Sequence, residues 1–244
     1  DFTLNGDAAP NDRFNYRAKL TTGSHPLVPS GATWKFNDTG ANLDTAWRAP
    51  AFDDRAWPSG AAQLGYGDGD EITPVRFGPD ANNKFITTYF RNAFDVADAS
   101  VFTNLTLRLL RDDGAVVWLN GTELARQNMP AGTVTATTRA SSAMGGAEEY
   151  RFFEASVSSA TLVSGTNVLA VEVHQNATNS SDLSFDLELL GRGGLPFLIA
   201  LTAPDDGATF VTNRLTFNAA VSRPATVQFC VNGQPCATAA SAPY

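Results

Sequence analysis

The segment GYGDGDE places Asp68, Asp70 and Glu71 within four residues, hinged by Gly65, Gly67 and Gly69. Calcium takes six to eight oxygen ligands and suits carboxylate-rich, glycine-flexed loops, so these three side chains are candidate metal ligands and Ca2+ the candidate structural cofactor. The spacing is not that of an EF-hand, whose loop carries further ligands and a glutamate at its twelfth position. A solvated acidic turn is the alternative reading.

A second constellation is made of His174 and Gln175, which close an alternating apolar run, and Asp182, which opens the next. If those runs are neighbouring strands, these groups meet at one rim of a sheet. A sugar site combines a few convergent polar groups with an aromatic face, and Tyr66 in the glycine-rich loop is the candidate platform. The bland alternative makes His174 an edge residue bonded to a turn.

The segment LRLLRDDGAVVWLNGTEL sets Asp112 and Asp113 side by side. Two carboxyl groups flanking a glycosidic bond must face each other, whereas neighbours on a strand point to opposite faces. RDDG therefore reads as the β-turn of a hairpin, with Gly114 accommodating the turn. Asp53 and Asp54 in FDDRAW likewise read as a turn before a core Trp57. The chain contains no G-x-S-x-G elbow, no H-E-x-x-H metal motif and no G-x-x-x-x-G-K-[ST] phosphate loop, so catalysis is not expected.

Only two cysteines occur, Cys230 and Cys236. A turn at Asn232-Gly233-Gln234 would pair Val231 with Pro235 and set the cysteines opposite each other, predicting a cross-strand disulfide and an oxidising compartment. A zinc site would need two more ligands, and His25 and His174 are the only histidines.

The chain has 244 residues, enough for one large β domain and a smaller one. A formal net charge of −8 argues against nucleic acid or an anionic membrane surface as partner. No apolar run approaches the length of a membrane span, so no insertion is expected. The opening DFTLNGDAAP has no basic-then-apolar leader, so the chain reads as a mature or trimmed product.

Alternation of period two recurs between Gly, Pro, Asn and Asp clusters. In NVLAVEVHQ it buries Leu169, Val171 and Val173 and exposes Glu172 and His174. In LSFDLELL it buries Leu183, Phe185, Leu187 and Leu189 and exposes Ser184, Asp186 and Glu188. In LTLRLL it points Leu105, Leu107 and Leu109 inward and Thr106 and Arg108 outward. Strands with one buried and one solvated face predict an all-β antiparallel sandwich. LLGRGGLPF marks a boundary. The expected organisation is an extension or strand of uncertain membership over 1–26, a β-sandwich over 27–191 and a partial immunoglobulin-like domain over 195–244.

The ordered set ATWKFNDTG, WRAPAFDDRAWPSGAAQLGYGDGDE, TTYFRNAFDV, LRLLRDDGAVVWLNGTEL, GTNVLAVEVHQ and SSDLSFDLELL resembles a galactose-binding-like jelly-roll domain of secreted multidomain bacterial proteins. FDDRAWP, VVWLNGTEL and NVLAVEV also resemble the non-catalytic sugar-binding domain of β-galactosidase-like and rhamnosidase-like enzymes. TAPDDGATF through SAPY is similar to part of a bacterial immunoglobulin-like repeat. The resemblance implies a jelly-roll fold, an accessory role, and a structural calcium ion of the kind such domains often hold.

These readings converge on a secreted or cell-surface, non-catalytic module that attaches to carbohydrate or a cell-surface glycan. The alternative is a structural subunit of an extracellular filament or surface layer. In that case the strand around Phe14 to Leu20 of one copy would complete the unfinished C-terminal sandwich of another.

Overall fold

A computed structural model describes residues 24–193 and, in addition, the strand segments 14–19, 199–203, 218–221, 226–231 and 234–239. The chain divides into two compact units, residues 24–193 and residues 1–23 with 194–244. Among the described residues helix is confined to single 3-10 turns at 46–48, 99–101 and 146–148.

In chain order the strands are β1 (Phe14–Lys19), β2 (His25–Val28), β3 (Thr33–Asn37), β4 (Ser59–Ala61), β5 (Leu64–Tyr66) and β6 (Thr73–Pro74). The long strands β7 (Thr87–Val96) and β8 (Phe102–Asp112) follow, then β9 (Gly114–Leu119), β10 (Thr122–Gln127) and β11 (Phe153–Val157). After them come β12 (Gly165–His174), β13 (Leu183–Gly193), β14 (Ile199–Ala203), β15 (Asn218–Val221), β16 (Thr226–Val231) and β17 (Gln234–Ala239).

The larger unit holds two six-stranded sheets. One runs in the order β10-β9-β12-β7-β3-β4, the other β11-β8-β13-β5-β6 with β2 added to β13. Their pairings are antiparallel apart from the short β5–β6 contact. Between them Trp34, Phe90, Leu107, Leu109, Val117, Leu169, Val171, Phe185 and Leu187 form the core, all fully buried. The predicted all-β sandwich is therefore the architecture observed, and the alternating leucines and valines of β8, β12 and β13 point where their period requires.

The predicted hairpin at Asp112 and Asp113 is not there. β8 pairs with β11 and β13 in one sheet, whereas β9 pairs with β10 and β12 in the other. The chain crosses between the sheets at Asp113 as an arch. The true hairpin is the next one, β9–β10, where Asn120 (φ 52°) and Gly121 (φ 85°) supply the two positive dihedrals that a tight Asn-Gly turn requires.

The expectation that alternate residues face water also fails on several strands. Thr106, Glu172, His174, Ser184 and Asp186 are all buried. On the outer face of the first sheet, loops close over a second cluster: Trp47, Tyr89, Val116, Trp118, Met129, Val134, Ala140 and Ala170. Asp186, on the other sheet, accepts from Ser30 Oγ at 2.6 Å and from the Gly31 amide at 3.1 Å. Loop cover over a sheet face is a long-range property that alternation does not report.

In the smaller unit, β1, β16 and β17 form one antiparallel sheet and β14 pairs with β15. β1 lies beside β16 over its whole length, from Phe14 opposite Val231 to Lys19 opposite Thr226. The register at the β16–β17 turn differs from the one expected. Val231 faces Gln234 and Cys230 faces Pro235, and a bulge then restores pairing at Phe229 opposite Ala237. Cys236 is thus the extra residue of the bulge. The cysteine side chains lie outside the described residues, as do residues 1–13 and 20–23 of the N-terminal extension.

Candidate functional site

One end of the larger sandwich gathers the Asp113 arch, the loop after β5, the β12–β13 connection and the turn at 146–148. The acidic loop folds over residues 181–183 because its glycines leave room. A Cβ on Gly65 would lie 1.9 Å from the Leu183 carbonyl oxygen, and one on Gly67 (φ 112°) 2.7 Å from Asp182 Cα. That close approach needs glycine.

The arch is anchored through Asp113. Its carboxylate accepts from the Met144 amide at 2.6 Å and the Asn176 amide at 2.7 Å, and its carbonyl from Asn128 Nδ2 at 3.0 Å. Arg111 Nη1 donates to the same carbonyl at 2.6 Å while its guanidinium stacks 4.4 Å over Phe153.

Asp112 is in the opposite condition. Its side chain is buried, at 1% exposure, and neither oxygen receives a hydrogen-bond donor. The groups in hydrogen-bonding range are other carboxyls, those of Asp182 and Asp113. Burial first, then the charge of Asp113, pushes Asp112 up to about 9.

Asp182 links this buried group to the surface. One carboxylate oxygen from each of Asp68, Glu149 and Asp182 lies within 4.8 Å of the others. Asp68 and Glu149 are both raised, by burial first and then by neighbouring carboxylates; Ser184 donating to Asp68 Oδ2 at 3.2 Å opposes part of this. The predicted trio Asp68, Asp70 and Glu71 is also clustered within 4.8 Å. Glu71, however, spends its oxygens on its own loop, accepting from the Asp68 amide at 3.0 Å and the Gly69 amide at 2.9 Å. Asp70 accepts from Gln63 Nε2 at 3.3 Å.

Of the predicted ligand-binding group, Tyr66, Gln175 and Asp182 lie together, and His174 lies apart from them. Tyr66 is buried, with Phe77 at 5.1 Å and the Lys84 ammonium at 5.6 Å from its ring, so it offers no open platform. Burial, then the charges of Asp182 and Asp112, drives its hydroxyl far above its ordinary range. Gln175 Nε2 donates to Tyr66 Oη at 3.2 Å and to the Asp182 carbonyl at 2.7 Å, tying the loop together. His174 is fully buried beneath the outer-face loops. Its Nδ1 lies 2.7 Å from the Thr138 carbonyl and 2.9 Å from Thr87 Oγ1, so this nitrogen carries the hydrogen. Nε2 faces Glu172 at 3.5 Å, and Arg48 Nη2 reaches Glu172 from its other side at 3.2 Å. His174 therefore belongs to a buried network of the sheet face, whereas Asp182 belongs to the rim.

The open aromatic of the rim is Tyr150, 57% exposed. The charge of Asp68 and, after burial, those of Glu149, Asp70 and Asp182 hold its hydroxyl above its usual range. Ile72, which follows Glu71, is 67% exposed. Of the described residues, the large exposed apolar side chains are these two and Val163. Glu149 and Tyr150 sit in a stretch without alternation, so nothing local marks them; the only sequence cue is the pairing of acid with aromatic in AEEYRFF. A separate concavity of about 450 Å³ at the start of β7 is lined by Asn42, Asp80, Asn83, Phe85 and Thr137 among others.

No family model matches the chain, and no curated protein matches it either. Among solved structures, a β-glucuronidase from an uncultured Clostridium is similar over 99% of this chain and 40% of its own, at 12% identity and TM-score 0.40. An Amycolatopsis orientalis exo-chitosanase complex is similar over 89% of this chain and 33% of its own, at 12% identity and TM-score 0.44. A glycosyl hydrolase family 2 member from Bacteroides cellulosilyticus is similar over 83% and 24%, at 18% identity and TM-score 0.42. The chain thus spans well under half the length of these solved chains. Overlap this loose does not bear on what the chain does.

Proposed function

We propose that residues 24–193 form a non-catalytic, carbohydrate-binding accessory module of a larger secreted or cell-surface protein. The observation that carries the reading is exposed Tyr150 next to the carboxylates of Asp68, Glu149 and Asp182 at one rim. An aromatic face accepts the apolar side of a sugar ring while carboxylates accept from its hydroxyls, which is how a small number of polar groups orient a ligand. The sequence resemblance to sugar-binding jelly rolls supports the same reading.

Glycan-array screening of the intact chain, followed by calorimetry on any hit, tests it. Tyr150→Ala is expected to weaken binding about tenfold, the loss of roughly 1.4 kcal/mol of stacking, with an unchanged melting temperature. Binding lost instead in Asn83→Ala would move the site to the 450 Å³ concavity. An array without hits, together with silent calorimetry at millimolar sugar, would end the proposal.

The second reading is a filament or surface-layer subunit built by strand exchange, which would need the β1–β16 pairing to form between copies rather than within one. Within one chain β1 pairs along β16, and the same pairing made between copies would link chains end to end. Light scattering that shows a monomer across the accessible concentration range would sink it.

A further inference from the structure

We infer that the cleft at the start of β7 is a second ligand site, and that it takes a neutral, extended oligosaccharide with sugar units on both sides of Phe85. The inference rests on the carbohydrate reading above but not on the rim, since neither Tyr150 nor Asp68, Glu149 or Asp182 lines the cleft.

The cleft has two lobes. The concavity of about 450 Å³ adjoins one of about 310 Å³ that includes Asp38, Thr39, Arg76 and Gly78, and Pro79 and Phe85 line both. Each lobe falls within the range of about 300–1,000 Å³ usual for ligand clefts. A ligand that fills both must run past the Phe85 ring.

That ring is held in place. Phe85 is half-buried, and its amide donates to the Phe77 carbonyl at 2.9 Å. Two glycines in the left-handed region make room for one edge of it. A Cβ on Gly40 (φ 73°) would lie 2.4 Å from ring Cδ1, and one on Gly78 (φ 107°) 3.2 Å from ring Cε1. The surrounding loops are tied to the same segment. The Lys84 amide donates to the Thr178 carbonyl at 2.7 Å, and Thr87 Oγ1 to the Ala136 carbonyl at 2.9 Å. Walls bonded to their floor in this way are ordered before a ligand arrives, which lowers the cost of binding.

The charges of the lining select against an anion. Arg76 is fixed by buried Asp38, which accepts from its amide at 2.7 Å and from Nη2 at 2.8 Å. The Lys84 ammonium donates to the Ser180 carbonyl. The remaining charged group of the lining is Asp80, so an anionic ligand would meet a like charge with both cations already engaged. Among the described residues the side chains of Asn83 and Thr178 form no hydrogen bond with other protein groups, and both line the larger lobe. A carboxamide and a hydroxyl beside an apolar ring suit the hydroxyls and the apolar face of a neutral sugar.

The test is amide NMR of the full-length chain titrated separately with cellotetraose, maltotetraose, mannotetraose and xylotetraose, with tetragalacturonate as the anionic control. At least one neutral tetrasaccharide should shift the amides of Gly40, Gly78, Phe85 and Thr137, with a dissociation constant at or below about 1 mM. The matching disaccharide, which leaves one lobe empty, should bind at least about tenfold more weakly. Phe85→Leu should weaken the cleft response about tenfold. Exposed Asn83→Ala should weaken it about threefold with the melting temperature unchanged, which separates lost contacts from a lost fold. Neither variant should alter the response of the Tyr150 and Asp182 amides. Shifts confined to those rim amides would overturn the cleft and leave the accessory module standing; shifts confined to the cleft would support it and sink the rim. Cleft amides unmoved by every probe up to about 10 mM, tighter binding of tetragalacturonate, or a disaccharide that binds as well as its tetrasaccharide would each overturn the inference.

Discussion

The outer face of the first sheet and the rim of the sandwich both bury charge, and they do so in opposite ways. On the sheet face every buried ion has a counter-ion. Arg91 bonds Asp54 at 2.8 Å and also donates to the Trp47 carbonyl, Lys35 meets Asp54 at 2.6 Å, and Arg48 meets Glu172 while stacking 4.0 Å over Trp118. At the rim, Asp112 faces Asp113 and Asp182. A paired buried charge is at best neutral for stability, but a charge without its partner is strongly unfavourable. The first arrangement reads as structure. The second leaves a buried acid among acids.

The largest effect should come from unpairing the sheet face. Arg91→Ala strips Asp54 of its buried partner and removes the guanidinium's hydrogen bonds to the Trp47 and Ala49 carbonyls, the latter keeping its bond from the Phe52 amide. A loss of about 3 kcal/mol is expected, read as a lower urea midpoint at constant slope. At the rim the sign should reverse. Asp112→Asn supplies amide donors to the carboxylates of Asp113 and Asp182 and should stabilise the unit by about 1–2 kcal/mol. A destabilised Asp112→Asn protein would break the comparison.

The pH responses should oppose each other as well. Burial works against ionisation of Asp54, but its hydrogen bonds to Arg91 and Lys35 outweigh it and hold the carboxyl below its usual range. Its contribution is present above the ordinary carboxylate range and is lost as pH falls through the lowered value. Asp112, raised from 3.8 to about 9 by burial, then Asp113 and Asp182, keeps in the folded state a proton that the unfolded chain releases. Stability should therefore fall as pH climbs through that window, with Arg111 and Tyr66 the other titratable groups near it. Melting curves across pH separate the two. The smallest effect belongs to the exposed pair Arg55–Asp53, whose side chains are 88% and 59% exposed. Arg55→Ala should leave the melting temperature unchanged.

About half of the rim is legible in the sequence. Asp68 and Asp182 stand out as an acid in a glycine-hinged loop and an acid opening a strand. Glu149 and Tyr150 do not, because they lie in an irregular stretch whose position is set by the turn at 146–148. Asp112 is hidden from sequence reading for a physical reason. Treating Asp112-Asp113-Gly114 as a hairpin assumes that consecutive strands pair, and a sandwich breaks that assumption wherever the chain arches between its sheets.

What the sequence determined by itself was local: the alternation that makes β8, β12 and β13 strands, the side of each that carries its leucines and valines, and the Asn120-Gly121 turn. Each depends on dihedral preference and on a period of two, and both act over a few residues. Only the tertiary structure decided that β8 and β9 belong to different sheets. It also sealed His174 and Glu172 beneath loops, and brought Asp112 to Asp182 across 70 positions of chain. Such contacts arise from how sheets stack and loops close, where the deciding free energy is shared among residues far apart in sequence.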